Sequence, residues 1–431
     1  MISTARSAPN KAAIIVIGAG IAGLSAARAL VDAGKTVIVL EARNRIGGRV
    51  HTDRSFGFPA EMGANWIHGD KGNPLVPLAR SAGVVSPVHD WEDFALLGRA
   101  GLLEPDNSAF ARAALRIEDD LEDWMDEADP LEMPARSIAP MLDEWLAQFD
   151  GNATQAGFAR WLISSEIQGN YASDPQELSA AASSFGEVFG GGDLLVVNGY
   201  DQVARFLAKG LDIRLNEPVS HVVDANGTME VRTRNATFQC ERVICTLPLG
   251  VLKSGNVTFE PDLPERHRDA IRRIGAGSFC KALIALEAAP RLPALANGMI
   301  PDGTRLFNTL IDMTQFMGRP YVLSYAGGSD ARKAEAASDA STADEISRSI
   351  AAFTGRPAPA VIAGIVSRWS ADPLALGAYS FPTPHTQHDD FGKLGEAVSE
   401  RLIFAGEAAT PYYGTVHGAY MSGKHAARTF G

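Results

Sequence analysis

Residues 14–41 read IIVIGAGIAGLSAARALVDAGKTVIVLE, and this stretch decides the fold. A β-branched apolar run, Ile14 to Ile17, stops at the GAGIAG turn of residues 18–23. A helical pattern follows, with Leu24, Ala27, Leu30 and Val31 on one face, and Ala33-Gly34 closes it. A second apolar run, Val37 to Leu40, ends on the acid Glu41. Together these predict the strand–turn–helix–strand unit that grips a dinucleotide. Gly18 suits the tight turn, Gly20 a close backbone approach to a pyrophosphate, and Gly23 close packing of helix on strand. The free N–H groups at the helix start, around Ile21 and Ala22, face the phosphates with the positive end of the helix dipole. Glu41 lies about twenty residues on, where a carboxylate accepts from ribose hydroxyls and repels a 2′-phosphate. That argues against NADP.

At 431 residues the chain predicts two or three domains, and 46% hydrophobic residues suffice for a large core. A net charge of −12 argues against a nucleic-acid partner and mildly favours cationic ligands. The three cysteines, Cys240, Cys245 and Cys280, lie in strand-like apolar runs without metal or disulfide spacing, which predicts a reducing compartment. The leader MISTARSAPNKAA lacks an apolar segment, and no run of eighteen apolar residues occurs. The expectation is a soluble, cytoplasmic protein, a monomer or homodimer, without a membrane partner.

Beyond Glu41, the segment ARNRIGGR (42–49) is basic and glycine-bearing together. It suits a second approach to phosphate with Arg49 as a charged donor, or a solvated surface loop. The compact FPAEMGANWIHG follows at 58–69. From about Asn107 to Leu146 the pattern is helical and acidic, including Glu118, Asp119, Asp120, Glu122 and Asp123, and reads as a solvated helix face. Helical character continues over Phe158–Glu166 and Leu178–Phe189, until Gly190 to Gly192 restore β-type sequence. A short helix is expected over Asp201–Leu207. Strands are expected at residues 212–215, 219–223, 229–233 and 243–247, read as one meander. Another strand, Phe279–Leu286, opens a mixed segment running to about Pro384. A strand from Leu402 ends in Gly406-Glu407, and a helix over Thr415–Ala427 completes the chain. Nucleotide-type segments at the start, middle and end predict discontinuous domains.

Taken together, these motifs resemble the flavin-dependent amine oxidases, in particular the polyamine oxidase and lysine-specific histone demethylase branch. The likeness covers nearly the whole chain. It rests on VIGAGIAG (16–23), EAR (41–43), GGR (47–49), GANWIHG (63–69), NGY (198–200) and LPLGVLK (247–253). It continues with Lys281 on its strand, RWSADP (368–373), GAYS (377–380), FAGE (404–407) and GTVHGA (414–419). The resemblance implies an α/β fold: a discontinuous Rossmann-type FAD-binding domain (1–90, 193–277, 390–431) with an inserted mixed α+β substrate-binding domain (91–192, 278–389). The implied cofactor is FAD, bound non-covalently, since Ala378 stands where monoamine oxidases carry a flavin-tethering cysteine.

Residue by residue, the likeness assigns cofactor contacts to Gly18, Gly20, Ile21, Ala22 and Gly23, and to Glu41, Ala42 and Arg43. It adds Gly48, Arg49, Gly63, Ala64, Asn65 and Trp66, and the backbone of Val219 near the adenine. At the far end it adds Gly406 and Glu407, then Thr415, Val416 and Ala419 near the flavin pyrimidine. A flavin oxidase must hold its amine neutral and place the α-carbon over N5, which takes the hydride. Lys281 corresponds to the family lysine that reaches N5 through a water; taken alone, it also reads as a strand-end lysine snorkelling to solvent. Tyr379 matches the aromatic that walls the amine site and Trp369 lines the same region, where aromatic faces favour an arriving cation. His68 matches a histidine near the amine in animal-type polyamine oxidases. Amino-acid oxidases of the superfamily place a carboxylate-clamping arginine in that turn, and residues 63–66 have none. Glu166 and Glu187 are candidate remote contacts for a polyamine's other nitrogens, and the acidic run near Glu118 is a minor one.

The expected reaction is oxidation of a polyamine C–N bond to an imine, hydrolysed to aldehyde and amine, with O2 reduced to H2O2. Oxidation of another amine (monoamine, diamine or lysine side chain) and a non-oxidase flavin dehydrogenase are the alternatives. A chromatin demethylase is disfavoured, because no helical-hairpin insertion is expected.

Overall fold

The computed structural model describes residues 10–91, 94–98, 101–103, 136–147, 160–161, 163–292, 297–299, 305–307 and 309–431. The acidic run at 118–127 lies outside the described residues.

The first strand, Ile14–Ile17, is buried at all four positions and sits at the centre of a five-stranded parallel sheet. Val37–Leu40 and then Asp212–Arg214 lie on one side of it, Arg242–Cys245 and then Leu402–Phe404 on the other. A parallel sheet is covered on both faces, so its strands read as unbroken apolar runs rather than alternating ones. On one face, Ile14, Val16 and Val39 pack with Leu24 and Leu30 of the helix Ile21–Asp32 and with Phe430 of the helix Val416–Phe430. On the other face, Ile15, Ile17 and Leu40 meet Val222, Val231 and Phe238. Each such side chain, fully buried, contributes about 1.5–3 kcal/mol.

The stretch read as one meander divides between two sheets. Residues 212–214 and 242–245 enter the parallel sheet, while Val219–Ala225, Thr228–Thr233 and Thr237–Cys240 form an antiparallel set to which Thr258–Glu260 adds in parallel beside Val219–Ala225. Composition alone does not separate them, because all are short and β-branched. The predicted helix over Leu178–Phe189 is reduced to one 3-10 turn, Ala182–Phe185. Neighbouring positions there are buried in succession (Leu178, Ser179, Ala180, Ala181), and Ser179 N–H bonds Pro382 C=O, so no single helical face exists.

A seven-stranded sheet carries Phe279–Leu286 between Val361–Val366 and Tyr321–Gly327, and continues through Thr309–Asp312, Asn297–Met299, Phe94–Gly98 and Gly101–Leu103. Side chains alternate across a strand. Cys280, Ala282 and Ile284 therefore face the helix Asp339–Thr354, through Ile346 and Ile350. Leu283 faces the other way, onto Met62, Trp66 and Leu195. Lys281 shares that second face, and this alternation aims its amine at the nucleotide-binding segments.

Candidate active site

The three glycines of the first turn divide their work as the sequence predicts. Gly18 has φ +99, which favours glycine. A Cβ on Gly23 would stand 1.9 Å from Gly18 O, so that position is closed by packing. A Cβ on Gly20 would meet nothing nearer than Gly48 Cα at 4.0 Å, leaving the helix start open to a ligand. Ile21 and Ala22 are buried in the first helical turn, and Gly20 caps the helix without a side-chain hydrogen bond.

Glu41 is buried and accepts the Ala19 N–H at 2.7 Å and the Arg43 N–H at 2.8 Å, one on each oxygen. It thus braces the glycine turn, and a lone pair remains on each oxygen for a ribose. Ala42 lies between the two. Glu41 C=O accepts Glu217 N–H at 2.9 Å, and this contact brings the segment leading to Val219 alongside. Val219 begins its strand opposite Thr233.

The basic segment is held by protein contacts to differing degrees. Arg43 pairs with Asp372 at 2.8 Å and stands 6.0 Å over the Trp369 ring. Arg49 pairs with Glu407 at 2.9 Å and donates to Ala378 C=O at 2.9 Å. Glu407 also accepts from the Ser380 N–H and hydroxyl and from the Gly414 N–H, so it ties three loops together beneath the site. Gly406 precedes it at φ +154. Arg45, which the sequence reading passed over, bonds only carbonyls, Gly48 O at 2.8 Å and Ile46 O at 3.3 Å. Burial, and then the charge of Arg43, pull it down to about 10. A half-buried guanidinium with no carboxylate in contact among the described residues, beside the open Gly20, suits a phosphate. His51 was also missed; burial and then Arg45 push it down to about 4, and its ring meets Trp369 edge-on at 6.4 Å.

Lys281 is 3% exposed. Its Nζ donates to Asn65 Oδ1 at 3.0 Å and to Glu61 C=O at 3.1 Å, and lies 5.3 Å from the Trp66 ring centroid. The snorkelling reading is thereby excluded. Asn65 is oriented by its own donation to Val196 C=O at 3.2 Å, and Trp66 by donating to His89 Nδ1 at 2.8 Å. Gly63 is required by packing, since a Cβ there would stand 1.7 Å from Arg49 O. Ala64 N–H bonds that same oxygen at 3.1 Å. Glu61, unassigned from the sequence, is buried; Thr52 Oγ1 reaches both its oxygens, at 2.9 and 3.1 Å, and Tyr200 N–H donates at 2.9 Å. Burial raises the Glu61 carboxyl and lowers the Lys281 amine, while the charge of each opposes the shift of the other.

Trp369 is buried and donates to Met62 C=O at 2.9 Å. Tyr379 donates its hydroxyl to Gly169 C=O and rests against Phe279 at 5.6 Å, which stacks on Tyr325 at 5.4 Å. Burial keeps its phenol protonated. Thr415 spends its hydroxyl on the helix cap, donating to Tyr412 C=O at 2.7 Å and accepting from Gly418 N–H at 2.9 Å. Val416 N–H and His417 N–H have no recorded acceptor among the described residues, and Ala419 follows one turn on.

His68 stands apart from Lys281 at a more open place. Its side chain is 53% exposed and pairs with Asp193 at 2.9 Å, and Trp91 donates to the same carboxylate at 3.0 Å. Burial pushes Asp193 up, but the donors His68, Trp91 and Gly69 N–H outweigh it and hold the carboxyl low. The Trp91 ring lies tilted against His89 at 4.2 Å and His89 stacks on Trp66, so an aromatic run links this outer cluster to Trp66. Glu166 accepts from Asn170 at 2.7 Å, and Glu187 is bonded to the Tyr412 hydroxyl. Neither joins the Lys281 cluster. Among the described residues no group of side chains is arranged for a metal, and no helix is long and apolar enough to cross a membrane.

The open back of Gly20, and Arg45 with no carboxylate in contact among the described residues, fit the pyrophosphate of FAD. Comparison with known proteins agrees. Residues 21–429 match the family described as flavin containing amine oxidoreductase. The chain is 34% identical to polyamine oxidase 2 of Arabidopsis thaliana over 96% of its length and 87% of the relative's. It is 33% identical to polyamine oxidase 4 of Oryza sativa subsp. japonica, over 98% and 89%. A lysine-specific histone demethylase 1 homolog of Arabidopsis thaliana is 30% identical over 96% of this chain but 58% of its own. Among solved structures, a putrescine oxidase bound to putrescine shares the fold, with a TM-score of 0.78 at 23% identity over 97% of this chain and 98% of that one.

Proposed function

We propose, for a chain that belongs to the flavin containing amine oxidoreductase family and takes FAD as its cofactor, that it oxidises a polyamine and passes the electrons to O2 to give H2O2. The observation that carries the reading is the buried Lys281 amine, held by Asn65 and Glu61 C=O over Trp66. The likeness to plant polyamine oxidases over nearly the whole chain supports the substrate class.

When bound, FAD supplies the hydride acceptor at N5. Gly20, Gly48 and Arg45 would hold its pyrophosphate, Glu41 its ribose, and the N–H groups of Val416 and His417 its pyrimidine edge. Phe279, Tyr325 and Tyr379 form an apolar wall. Such a wall excludes water and favours the neutral amine over the ammonium, because burial penalises charge. Lys281 keeps donors in this desolvated place, where a fixed water can be held. The outer cluster of Asp193, Trp91 and His68 offers a carboxylate beside aromatic faces, a combination that suits a second, charged nitrogen of the substrate.

A peroxide-release screen of purified protein tests the reading. Diamines, polyamines, acetylated polyamines, aromatic monoamines and amino acids are compared at equal concentration. Peroxide from a polyamine above all others is the expected result. Preference for an aromatic monoamine or amino acid, or flavin reduction without peroxide, overturns it.

A further inference from the structure

We propose that Glu61 is a positioning residue whose buried carboxylate keeps the proton on Lys281 Nζ. The proposal rests on the reading of Lys281 as a reacting-centre residue.

The argument begins with donor counting. A protonated lysine has three N–H donors and a neutral one has two. Two are already committed, to Asn65 Oδ1 and to Glu61 C=O. Only the ammonium therefore keeps a donor for a water or a substrate atom, and the charge state decides whether Lys281 can act at all. Among the described residues nothing in direct contact supplies a negative charge: both acceptors are neutral, and the third neighbour is the Trp66 ring face. Ser367 Oγ accepts only the backbone N–H of Lys281, at 2.8 Å.

Among the described residues, the groups facing the amine from each packed element leave one counter-charge. Across the sheet stands Tyr325, and nearby Tyr321 and Tyr200 are phenols that burial keeps neutral. His89 lies behind Trp66 and accepts its indole N–H. Asp201 is engaged elsewhere, its carboxylate gripped by Arg54 at 2.8 Å on both oxygens. Glu61 remains: it is buried, and its own C=O holds Lys281 Nζ at 3.1 Å, which keeps its carboxylate in the neighbourhood of the amine. It makes no ion pair within 4.0 Å among the described residues; Thr52 and Tyr200 N–H hold it in place instead. In a low-dielectric interior a carboxylate acts over such a gap much more strongly than in water. Leaving either charge alone is costly, so each stabilises the ionised form of the other.

The test uses the FAD-loaded enzyme and reads two quantities against pH: the bound-flavin absorption difference spectrum and the anaerobic rate of flavin reduction by a polyamine. Glu61→Gln keeps an acceptor for Thr52 or Tyr200 N–H but removes the charge. The limb that Lys281→Met abolishes should move by at least about one pH unit toward acid in Glu61→Gln, and Glu61→Asp should restore much of it. Thr52→Val, which strips one donor from the carboxylate without touching Lys281, should move it the same way by less, and it serves where Glu61→Gln does not fold. In the Lys281→Met background Glu61→Gln should change nothing. A Glu61→Gln limb superimposed on wild type, or a shift that persists without Lys281, overturns the Glu61 proposal alone. A limb that survives Lys281→Met overturns the reading of Lys281 together with it.

Discussion

Arg49 Nη1 and Glu407 Oε1, 358 residues apart in the chain, stand 2.9 Å from each other. Two residues that the sequence offers as separate cofactor contacts are thus one ion pair that closes the sheet's C-terminal edge. Arg49→Ala would leave Glu407, buried, with only its hydrogen bonds from Ser380 and Gly414. FAD affinity should fall by about 1–3 kcal/mol, the scale for losing charged hydrogen bonds. Dilution titration of flavin fluorescence measures it, and occupancy equal to wild type would refute the role of the pair.

Glu41→Ala should weaken FAD binding by roughly 1–3 kcal/mol as well. Because the carboxylate also braces Ala19 N–H and Arg43 N–H, the FAD-free protein should melt earlier too. A purely ribose-binding Glu41 would leave the FAD-free melting temperature unchanged, so calorimetry of both forms separates the two roles.

All FAD should leave the polypeptide on acid or heat denaturation, since Ala378 offers no thiol. The cysteine nearest to it in sequence, Cys280, is buried and packs toward the helix Asp339–Thr354 rather than the site. Flavin fluorescence that stays with denatured protein on a gel would contradict this.

Acid should destabilise the protein through His417. Burial, and then the charge of His68, lower it to about 4, below its ordinary value of 6.5. Between those two values the unfolded chain binds a proton that the folded chain does not, so stability rises with pH there. The contribution is complete above about pH 6.5 and is lost as pH falls toward about 4. His51, held down to about 4 by burial and then Arg45, acts in the same window. His417→Gln should flatten the fall in melting temperature across it by on the order of one to three degrees. An unchanged slope would show that His417 titrates like a solvated histidine.

Much of the parallel sheet was legible in sequence, because a strand covered on both faces is an unbroken apolar run bounded by glycine. Ile14–Ile17 and Val37–Leu40 occupy the residues their patterns indicate, and so does the buried strand Phe279–Leu286 of the seven-stranded sheet. Sheet membership of residues 212–245 was not legible, since it depends on which distant strand is nearest. At the site, Lys281 stood out as a charge inside an apolar run. Glu61 and Arg45 did not: Arg45 sits in a basic, glycine-bearing segment where a charge is ordinary, and Glu61 is a single acid in a two-residue strand just before Gly63. Their surroundings come from segments far away in the chain: Tyr200 N–H holds Glu61, and the Asp372 charge acts on Arg45. A signal for Arg45 did exist in its spacing, two residues from Arg43 and four from Arg49.

Lys281→Met tests the central claim most directly. The substitution keeps length and apolar packing but removes the nitrogen that bonds Asn65 Oδ1 and Glu61 C=O. Losing one charge-assisted contact at a reacting centre is worth roughly 2–4 kcal/mol, or about thirty- to a thousand-fold in rate. FAD content should stay near wild type, because Gly20, Glu41 and Arg45 are untouched. The measurement is stopped-flow absorbance of the two half-reactions, anaerobic flavin reduction by a polyamine and reoxidation by O2. Both rates perturbed by that order at full FAD occupancy is the predicted result; both within about threefold of wild type would make Lys281 a structural lysine and contradict the account.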